Sequence, residues 1–287
     1  MMRAEKTIMR LVPIACVTLI LAACSGSSPD QAVQPSVSPS ADLVGPTAAA
    51  TAAATAAAAP IAVVKPILID DSTPLYEFSY TYPAQAKSFP ALAAWFKADA
   101  AKQKRELAVH AKEGQGEAKA DKRTYYPFGH STKWEVVTDL PGWLSLSAQR
   151  WESLGGAHAN PWQEGLVWNK AAGKRMKAAD LFSSPAALSA AIRLPFCAAL
   201  DQQRAGKRGA PVNRKSGNPF DTCIDPAAQT VILGSTDKAH FTRIGVLVDP
   251  YAAGSYAEGN YEVTVPVTAA VLRAVKPQYR SAFAVPR

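Results

Sequence analysis

The most distinctive polar segment of the sequence runs from Gly155 to Asn160 and reads Gly-Gly-Ala-His-Ala-Asn. Its two glycines, Gly155 and Gly156, permit a tight backbone with positive φ and a close approach by another chain. His158 and Asn160 supply polar side chains beside that backbone. Three interpretations stay open: a corner between strands in which His158 bonds nearby backbone, a contact to a ligand, and catalysis by His158.

A catalytic role for His158 requires a nucleophile or an activated water, and a group that orients the ring. Glu152 and Asp249 are the nearby or motif-adjacent acids that could orient it. A hydrolase that uses His158 with one of these carboxylates is therefore the alternative to a binding role. It requires the carboxylate within hydrogen-bond reach of His158 in an open cleft.

The sequence lacks other catalytic and metal motifs. It contains no phosphate-binding loop, dinucleotide fingerprint, HExxH zinc motif or GxSxG elbow. The histidines each stand in a segment of their own, without the clustered spacing typical of a metal site: His110, His130, His158 and His240. We therefore expect no metal and no cofactor, and a binding role is favoured over the hydrolase.

Aromatic residues flank two glycine-rich stretches, namely Trp151, Trp162, Tyr251 and Tyr256. Aromatic side chains beside flexible backbone are favoured at interfaces and at sugar-binding surfaces. The sequence therefore predicts that the Gly155–Asn160 loop and the Tyr251–Tyr256 loop form or border one binding surface. For Trp151, packing in the core is the favoured interpretation.

The N-terminus has the pattern of a bacterial lipoprotein signal. Bases precede an apolar run from Leu11 to Ala23, which ends in the lipobox-like Leu-Ala-Ala-Cys at Cys24. We expect residues 1–23 to be a signal peptide and Cys24 to be acylated, with a plain secretory signal as the alternative. Ser25 stands where retention in the inner membrane usually shows aspartate, so the periplasmic face of the outer membrane is favoured.

Residues 24–64 are almost wholly small residues and proline, which cannot bury a core and predict a lipidated flexible linker. The chain carries 31 Lys+Arg against 23 Asp+Glu, a mildly basic balance, and no nucleic-acid partner is expected. One local basic cluster is interpreted as a solvated helix end, with contact to anionic envelope polymers or lipid head groups as the alternative: Arg204, Lys207, Arg208, Arg214 and Lys215.

The cysteines predict one disulfide. Cys16 leaves with the signal peptide and Cys24 carries the lipid, so Cys197 and Cys223 remain in the folded part. Because the periplasm is oxidising, we expect these two to pair.

Period-two alternation predicts the strands. Ile67 to Ile69 and then Leu75 to Tyr82 form strands, the second with one aromatic face, and Pro83 ends it. Further strands are predicted at Gln163–Asn169, Lys174–Met176, Thr230–Leu233, Phe241–Val248 and Tyr261–Val265.

Two alternating runs, Trp134–Leu140 and Trp143–Trp151, predict a hairpin. Pro141 and Gly142 suit a type II turn, because Pro presets the first φ and Gly accepts the positive second one. Hairpins with inserted helices, and no regular alternation of strand and helix, indicate an α+β fold with a mainly antiparallel sheet.

Two longer helices and a short C-terminal one, at about 267–275, are predicted. The first is capped by Ser88, has Pro90 in its first turn and carries Leu92, Phe96, Ala100 and Leu107 on one face, with Lys97 and Asp99 off it. Its charged tail to about Arg123, with Gly114 and Gly116, is expected to be frayed helix or loop. The second is capped by Ser184 and carries Leu188, Ile192, Phe196 and Leu200, with a kink or a split at Pro195.

Four short motifs resemble the envelope domain of the anti-sigma factor RsiV: Gly155-Gly156-Ala157-His158, the turn Asn169 to Lys174, Asp180-Leu181-Phe182 before a helix, and Pro250 to Gly254 before a strand. The preceding part is similar to the companion domain beside the catalytic module of the peptidoglycan deacetylase PdaC. The resemblance divides the folded part into a PdaC-like region, residues 65–150, and an RsiV C-terminal-like region, residues 151–287.

These relatives imply an extracytoplasmic, non-catalytic module, and the RsiV resemblance implies lysozyme as a partner. The deacetylase chemistry resides in a separate domain whose metal motif is absent from this sequence. Lysozymes are commonly basic, as this chain is, so long-range repulsion would slow their encounter. We rank peptidoglycan, another envelope glycan or an envelope protein above lysozyme.

Overall fold

The computed structural model describes residues 65–287. Segments of alternating sequence in this part of the chain form two β-sheets. The first sheet has six strands in sequential order, and the second has three. The strands are β1 (Ile67–Ser72), β2 (Tyr76–Tyr82), β3 (Phe128–Asp139), β4 (Trp143–Ser153), β5 (Asn160–Asn169), β6 (Lys174–Met176), β7 (Thr230–Gly234), β8 (Arg243–Val248) and β9 (Tyr261–Pro266).

Every neighbouring pair is antiparallel except β2 and β3, which are parallel. A parallel pair needs a long crossover, and helix α1 (Pro90–Ala120) supplies it. Helix α2 (Pro185–Arg208) lies between the two sheets in sequence, and the short α3 (Ala269–Ala274) follows β9. The predicted α+β class, with two longer helices and a short C-terminal helix, is confirmed. The predicted signal peptide, the acylated Cys24 and the linker lie outside the described residues.

Helix α1 covers one face of the six-stranded sheet. Its predicted apolar face is buried, against the aromatic face of β2 and against Trp134 of β3. The rings of Tyr82 and Phe96, for example, stack with their centroids 4.7 Å apart. A second core forms where α2 packs on the three-stranded sheet and buries its four predicted apolar residues.

Strand β7 lies against the opposite face of the six-stranded sheet. The backbone N–H of Leu233 donates to Ser145 Oγ at 3.2 Å, and Thr230 Oγ1 donates to the carbonyl of Gln163 at 3.0 Å. A Cβ at Gly165 would stand 2.7 Å from the carbonyl oxygen of Val231, so the two sheets approach closely only because that position has no side chain.

One prediction about α1 is wrong, and for its charged tail one of the two predicted alternatives is excluded. Ser88 does not cap it, because Ser88 ends a preceding 3₁₀ turn and the N-cap is Phe89, whose side chain makes no capping bond. The charged tail is not loop, since the helix continues to Ala120. Its backbone is held against the sheet at Gly114, where an added Cβ would stand only 2.5 Å from the Phe128 ring.

Two predictions about turns and breaks also need correction. Leu140 and Trp143 exchange backbone hydrogen bonds of 2.8 and 3.2 Å around Pro141-Gly142, but Gly142 does not have positive φ, so the turn is not type II. Helix α2 is not split at Pro195. Proline is tolerated there because it lies on the exposed side, where water can satisfy the backbone carbonyl that it leaves unpaired.

Candidate functional site

The predicted Gly155–Asn160 loop connects β4 to β5 in a tight turn. Gly155 has φ +81°, a conformation that side chains disfavour, and the Phe128 ring lies 3.1 Å from the position of an added Cβ. The loop is therefore pinned at its start against the first core, while His158 at its tip is exposed.

The second predicted loop, between β8 and β9, contains strained backbone at an aromatic residue. Tyr251 has φ +67° although it is not glycine, and its side chain is 56% exposed. A bulky residue at positive φ is a genuine outlier, and such strain concentrates at functional sites. The outlier therefore marks Tyr251 as a functional candidate on geometry alone.

The structure brings the two loops into contact. Tyr256 Oη donates to the carbonyl of Ala159 at 2.9 Å, and the Tyr256 ring stacks on His158 with centroids 3.9 Å apart and planes at 23°. Tyr251 lies beside both of these rings. Its own ring is tilted at 34° to that of Tyr256, with centroids 5.7 Å apart, and its hydroxyl lies 3.5 Å from His158 Nε2. We call residues 154–160 and 249–260 together the loop pair, and these three rings its aromatic stack.

Two arginines of α2, one buried and one partly buried, hold the second loop in place. Arg204 is fully buried, and its Nε donates to the carbonyl of Ala253 at 2.9 Å. Arg208 donates to the same carbonyl at 3.2 Å and to Glu258 at 2.7 Å. The prediction of a solvated helix end is thus wrong for Arg204, because the backbone carbonyl of a loop distant in sequence accepts a hydrogen bond from it.

Glu258 is the acidic partner in this clamp. Its carboxylate accepts from the backbone of Ser255 at 2.9 Å and from Tyr261 Oη. Burial alone would raise the pKa of Glu258, but hydrogen bonds from Tyr261 and Arg208 outweigh burial and lower that pKa to about 2. The loop that carries Tyr251 is therefore anchored by an ionised, multiply bonded carboxylate.

His158 has no carboxylate partner within residues 65–287. Its Nδ1 donates to the neighbouring carbonyl of Ala159 at 2.9 Å. Asp249 instead accepts from the backbone N–H of Gln163 at 2.9 Å, and burial raises its pKa. Glu152 lines a cleft on the α1 side of the sheet. The arrangement that the hydrolase alternative requires around His158 is not formed.

The two flanking tryptophans differ in their surroundings. Trp151 is 40% exposed and lies over Gly129 of β3, so the expectation that it packs in the core is wrong. It points to the sheet face opposite α1, since Arg150 and Glu152 on either side occupy the α1 face. Trp162 lies on the α1 side, 5.9 Å from the His130 ring.

A second feature, not foreseen from the sequence, is a cavity of about 450 Å³ between α1 and strands β3 to β5, which we call the polar cleft. It is lined by Asp99, Lys102, Gln103, Glu106, Leu107, His110, His130, Arg150, Glu152, Leu154, Trp162 and Glu164. Glu152 lies near the end of β4 and Leu154 begins the β4–β5 loop, so the cleft adjoins the loop pair along the chain.

Arg150 organises the cleft floor. Its side chain is only 6% exposed, and Nη2 lies 3.0 Å from Asp99 and 2.7 Å from Glu164. Asp99 also accepts from Tyr80 Oη and from Gln103 Nε2, each at 2.7 Å. Burying charge is unfavourable unless it is paired in this way, so the network fixes these side chains.

His130 belongs to the same floor. Its Nε2 donates to Gln103 Oε1 at 2.6 Å, and Thr132 Oγ1 donates to the same oxygen at 2.8 Å. Burial, helped by nearby Arg150, lowers the pKa of His130 to about 4. The imidazole is therefore neutral at physiological pH.

Most of these features lie in a segment of the chain that matches a known protein-family model. Residues 69–161 match the family model described as deacetylase PdaC. This segment is PdaC-like. It contains α1 and strands β3 and β4, and so supplies most of the cleft walls together with the β4–β5 loop.

Two solved structures resemble the chain over more than the PdaC-like segment. A DUF3298-family member from Bacteroides fragilis matches at a TM-score of 0.50 with 15% identity, over 70% of this chain and 89% of that one. A DUF3298-family protein from Pseudomonas aeruginosa matches at 0.45 with 14% identity, over 76% and 95%. The first likeness establishes a shared fold alone. No curated protein matches the chain.

Three further observations concern the predicted sites. A disulfide joins Cys197 to Cys223, with Cα atoms 5.5 Å apart, and ties α2 to the segment before β7. Among residues 65–287, no group of three His, Cys, Asp or Glu residues could hold a metal ion. In the same part of the chain, no helix is long and apolar enough to cross a membrane.

The sequence did contain signals for the cleft. Asp99, Gln103, Glu106 and His110 recur every three or four residues on α1 and form a polar stripe beside its apolar face. The prediction that Asp99 lies off the buried face of α1 is wrong, because its carboxylate contacts Tyr80 of the sheet. On β4, alternation puts Arg150 on the same face as Leu144, Leu146 and Ala148. An arginine on a buried face predicts a paired polar site.

Proposed function

We propose that this protein is a non-catalytic binding module of the bacterial cell envelope and that its loop pair holds an envelope glycan, such as peptidoglycan. The observation that carries the proposal is the aromatic stack. An exposed tyrosine on strained backbone, Tyr251, packs beside a stacked pair formed by Tyr256 and His158 of two separate loops.

The energetics favour a functional reason for this arrangement. A non-glycine residue at positive φ costs roughly 1–2 kcal/mol, and the surrounding contacts must hold it there. Arg204 and Arg208 provide such contacts through Ala253. A rigid aromatic face loses little entropy when a ligand binds, which is why such residues serve as binding anchors. The planar rings suit the apolar face of a sugar ring.

A binding role also fits the surroundings of His158 better than hydrolysis does. Within residues 65–287 its ring contacts a backbone carbonyl and two tyrosines, and no carboxylate orients it as a base. Stacking against Tyr256 instead uses the imidazole as part of a flat surface.

We further propose that the protein is a lipoprotein acylated at Cys24, tethered to the periplasmic face of the outer membrane, with residues 24–64 as its spacer and no nucleic-acid partner. The Leu-Ala-Ala-Cys pattern and Ser25 support this. Cells fed labelled palmitate should label the wild-type chain and not Cys24→Ser. Continued labelling of the variant would refute acylation at this site, and recovery in inner-membrane fractions would refute the assigned membrane.

The glycan proposal is tested by co-sedimentation with purified peptidoglycan sacculi. The probe is residues 24–287 carrying Cys24→Ser, secreted behind an ordinary signal peptide. We expect the wild-type residues to sediment with sacculi and Tyr251→Ala to reduce the bound fraction at least fivefold, since central aromatic anchors typically contribute more than 1 kcal/mol. Tyr251→Phe, which keeps the ring, should retain binding.

The matched control is Leu194→Ala on α2, which removes a large apolar side chain that is 84% exposed. Retention equal to wild type is expected for this variant. Failure of the unmodified chain to sediment, or equal losses in Tyr251→Ala and Leu194→Ala, would contradict the proposal. Retention of added lysozyme in place of sacculi would favour the partner that the RsiV resemblance implies.

A further inference from the structure

The polar cleft has the features of a second binding site, separate from the aromatic stack. We infer that it binds a sugar unit that carries a free amino group, so that the glycan held by the loop pair is recognised in part through unacetylated amino sugars. This inference rests on the proposed glycan-binding function and assigns a chemical class to one of its units.

Charge is the first argument. Four carboxylates line the cleft, namely those of Asp99, Glu106, Glu152 and Glu164, against the two cations Lys102 and Arg150. Counting these four carboxylates and two cations, the cleft has a net charge of −2, on a chain whose net charge is +8. A local sign opposite to that of the whole molecule selects a cationic ligand.

The cations already present do not neutralise every carboxylate. Arg150 is shared between Asp99 and Glu164, and Lys102 lies 3.7 Å from Glu106 on the exposed side of α1. Within residues 65–287, Glu152 has no cation within 4.0 Å. An ammonium group in the cleft would supply the missing partner.

Unused hydrogen-bonding capacity is the second, independent argument. Nε of Arg150 is buried and has no hydrogen-bond partner within the described residues. A buried donor without an acceptor is unfavourable, so a ligand oxygen beside this guanidinium would stabilise it. The ligand therefore combines a cationic amine with acceptor oxygens such as hydroxyl groups.

Shape is the third argument. A cavity of about 450 Å³ matches small-molecule sites, which span roughly 300–1,000 Å³, and is too small for a helix or a folded protein. Trp162 offers an indole wall for the apolar face of a ring. An amine, hydroxyl groups and a saturated ring together describe an amino sugar, and the adjoining Glu152 and Leu154 lead to the loop pair.

The test compares two probes by titration calorimetry at pH 6 with residues 24–287 carrying Cys24→Ser. The probes are a fully deacetylated glucosamine tetramer and the fully N-acetylated tetramer. We expect the deacetylated tetramer to bind about tenfold more tightly and its affinity to fall as salt is raised from 50 to 500 mM. Glu152→Gln should weaken its binding about fivefold.

The matched control is Glu262→Gln, which removes an exposed carboxylate on β9, away from the cleft, and should leave the affinity unchanged. Equal or tighter binding of the N-acetylated tetramer would overturn the inference, as would equal competition by a lysine tetrapeptide, which would mean that charge alone is recognised. If one of these two results is obtained but sacculi still bind the unmodified chain and bind Tyr251→Ala less, the proposed function stands while the inference fails. If sacculi are not retained, the proposed function fails by itself.

Discussion

Tyr251 is a position at which glycine should be more stable than alanine. Its φ of +67° lies in the left-handed region, where a Cβ costs roughly 1–2 kcal/mol. Glycine loses about 0.5–1 kcal/mol relative to alanine through its greater freedom in the unfolded chain. Because both substitutions remove the tyrosine ring, its packing cancels in the comparison. We therefore expect Tyr251→Gly to be about 0.5–1 kcal/mol more stable than Tyr251→Ala.

The assay is urea unfolding at pH 7, followed by tryptophan fluorescence. An internal control is Ala257, an exposed residue in the 3₁₀ turn of the same loop whose φ is not positive. Ala257→Gly should lower the free energy of unfolding by about 0.5–1 kcal/mol, the opposite order from position 251.

A binding assay with peptidoglycan sacculi provides the second part of this prediction. Tyr251→Gly should lose retention by peptidoglycan sacculi although its backbone is relaxed, because the ring that makes the contact is gone. If Tyr251→Gly is no more stable than Tyr251→Ala, the backbone is not strained at this position. If Tyr251→Gly binds sacculi as wild type does, the strain is not maintained for the sake of the ring.

Two further predictions concern what anchors the site. The pKa of Glu258 is about 2 in the folded protein against an ordinary 4.5. Its ionised clamp therefore stabilises the fold above pH 4.5, and this contribution of about 3 kcal/mol is lost as the pH falls towards 2. Urea unfolding of Glu258→Gln should therefore depend less on pH than wild type between pH 5 and 2.5, and parallel profiles would contradict the clamp. The disulfide closes a loop of 26 residues, so replacing Cys197 and Cys223 together by alanine should lower the free energy of unfolding by about 3 kcal/mol in the same assay. Mass spectrometry of unreduced, alkylated protein that finds both thiols modified would refute the pairing.

Local patterns were sufficient to predict most of the secondary structure. The aromatic face of β2 and the apolar face of α2 follow from the period of each segment alone, and both are buried as expected. The loop pair was foreseen for a related reason. Around Gly155, and again around Tyr251, glycines and aromatic residues are neighbours in the sequence. Each loop can therefore be recognised without knowledge of the fold.

The features that the sequence does not predict depend on contacts between segments distant in sequence. Arg204 looks like part of a solvated basic cluster until the carbonyl of Ala253, 49 residues later, reaches it. Asp99 looks like an exposed helix residue until Arg150, 51 residues later, pairs with it. Sequence periodicity shows which face of an element a residue occupies, but not which distant segment packs over that face. The polar cleft depends on such contacts between distant segments, whereas the two loops are recognisable from local sequence.

The central claim is that two loops distant in sequence act as one binding surface. Hydrogen–deuterium exchange of the chain with and without soluble peptidoglycan fragments tests this claim most directly. We predict that bound fragments slow exchange in residues 154–160 and 249–260 together, and that Tyr251→Ala removes the protection of both. Protection confined to one loop, or found only outside the loop pair, would contradict the account.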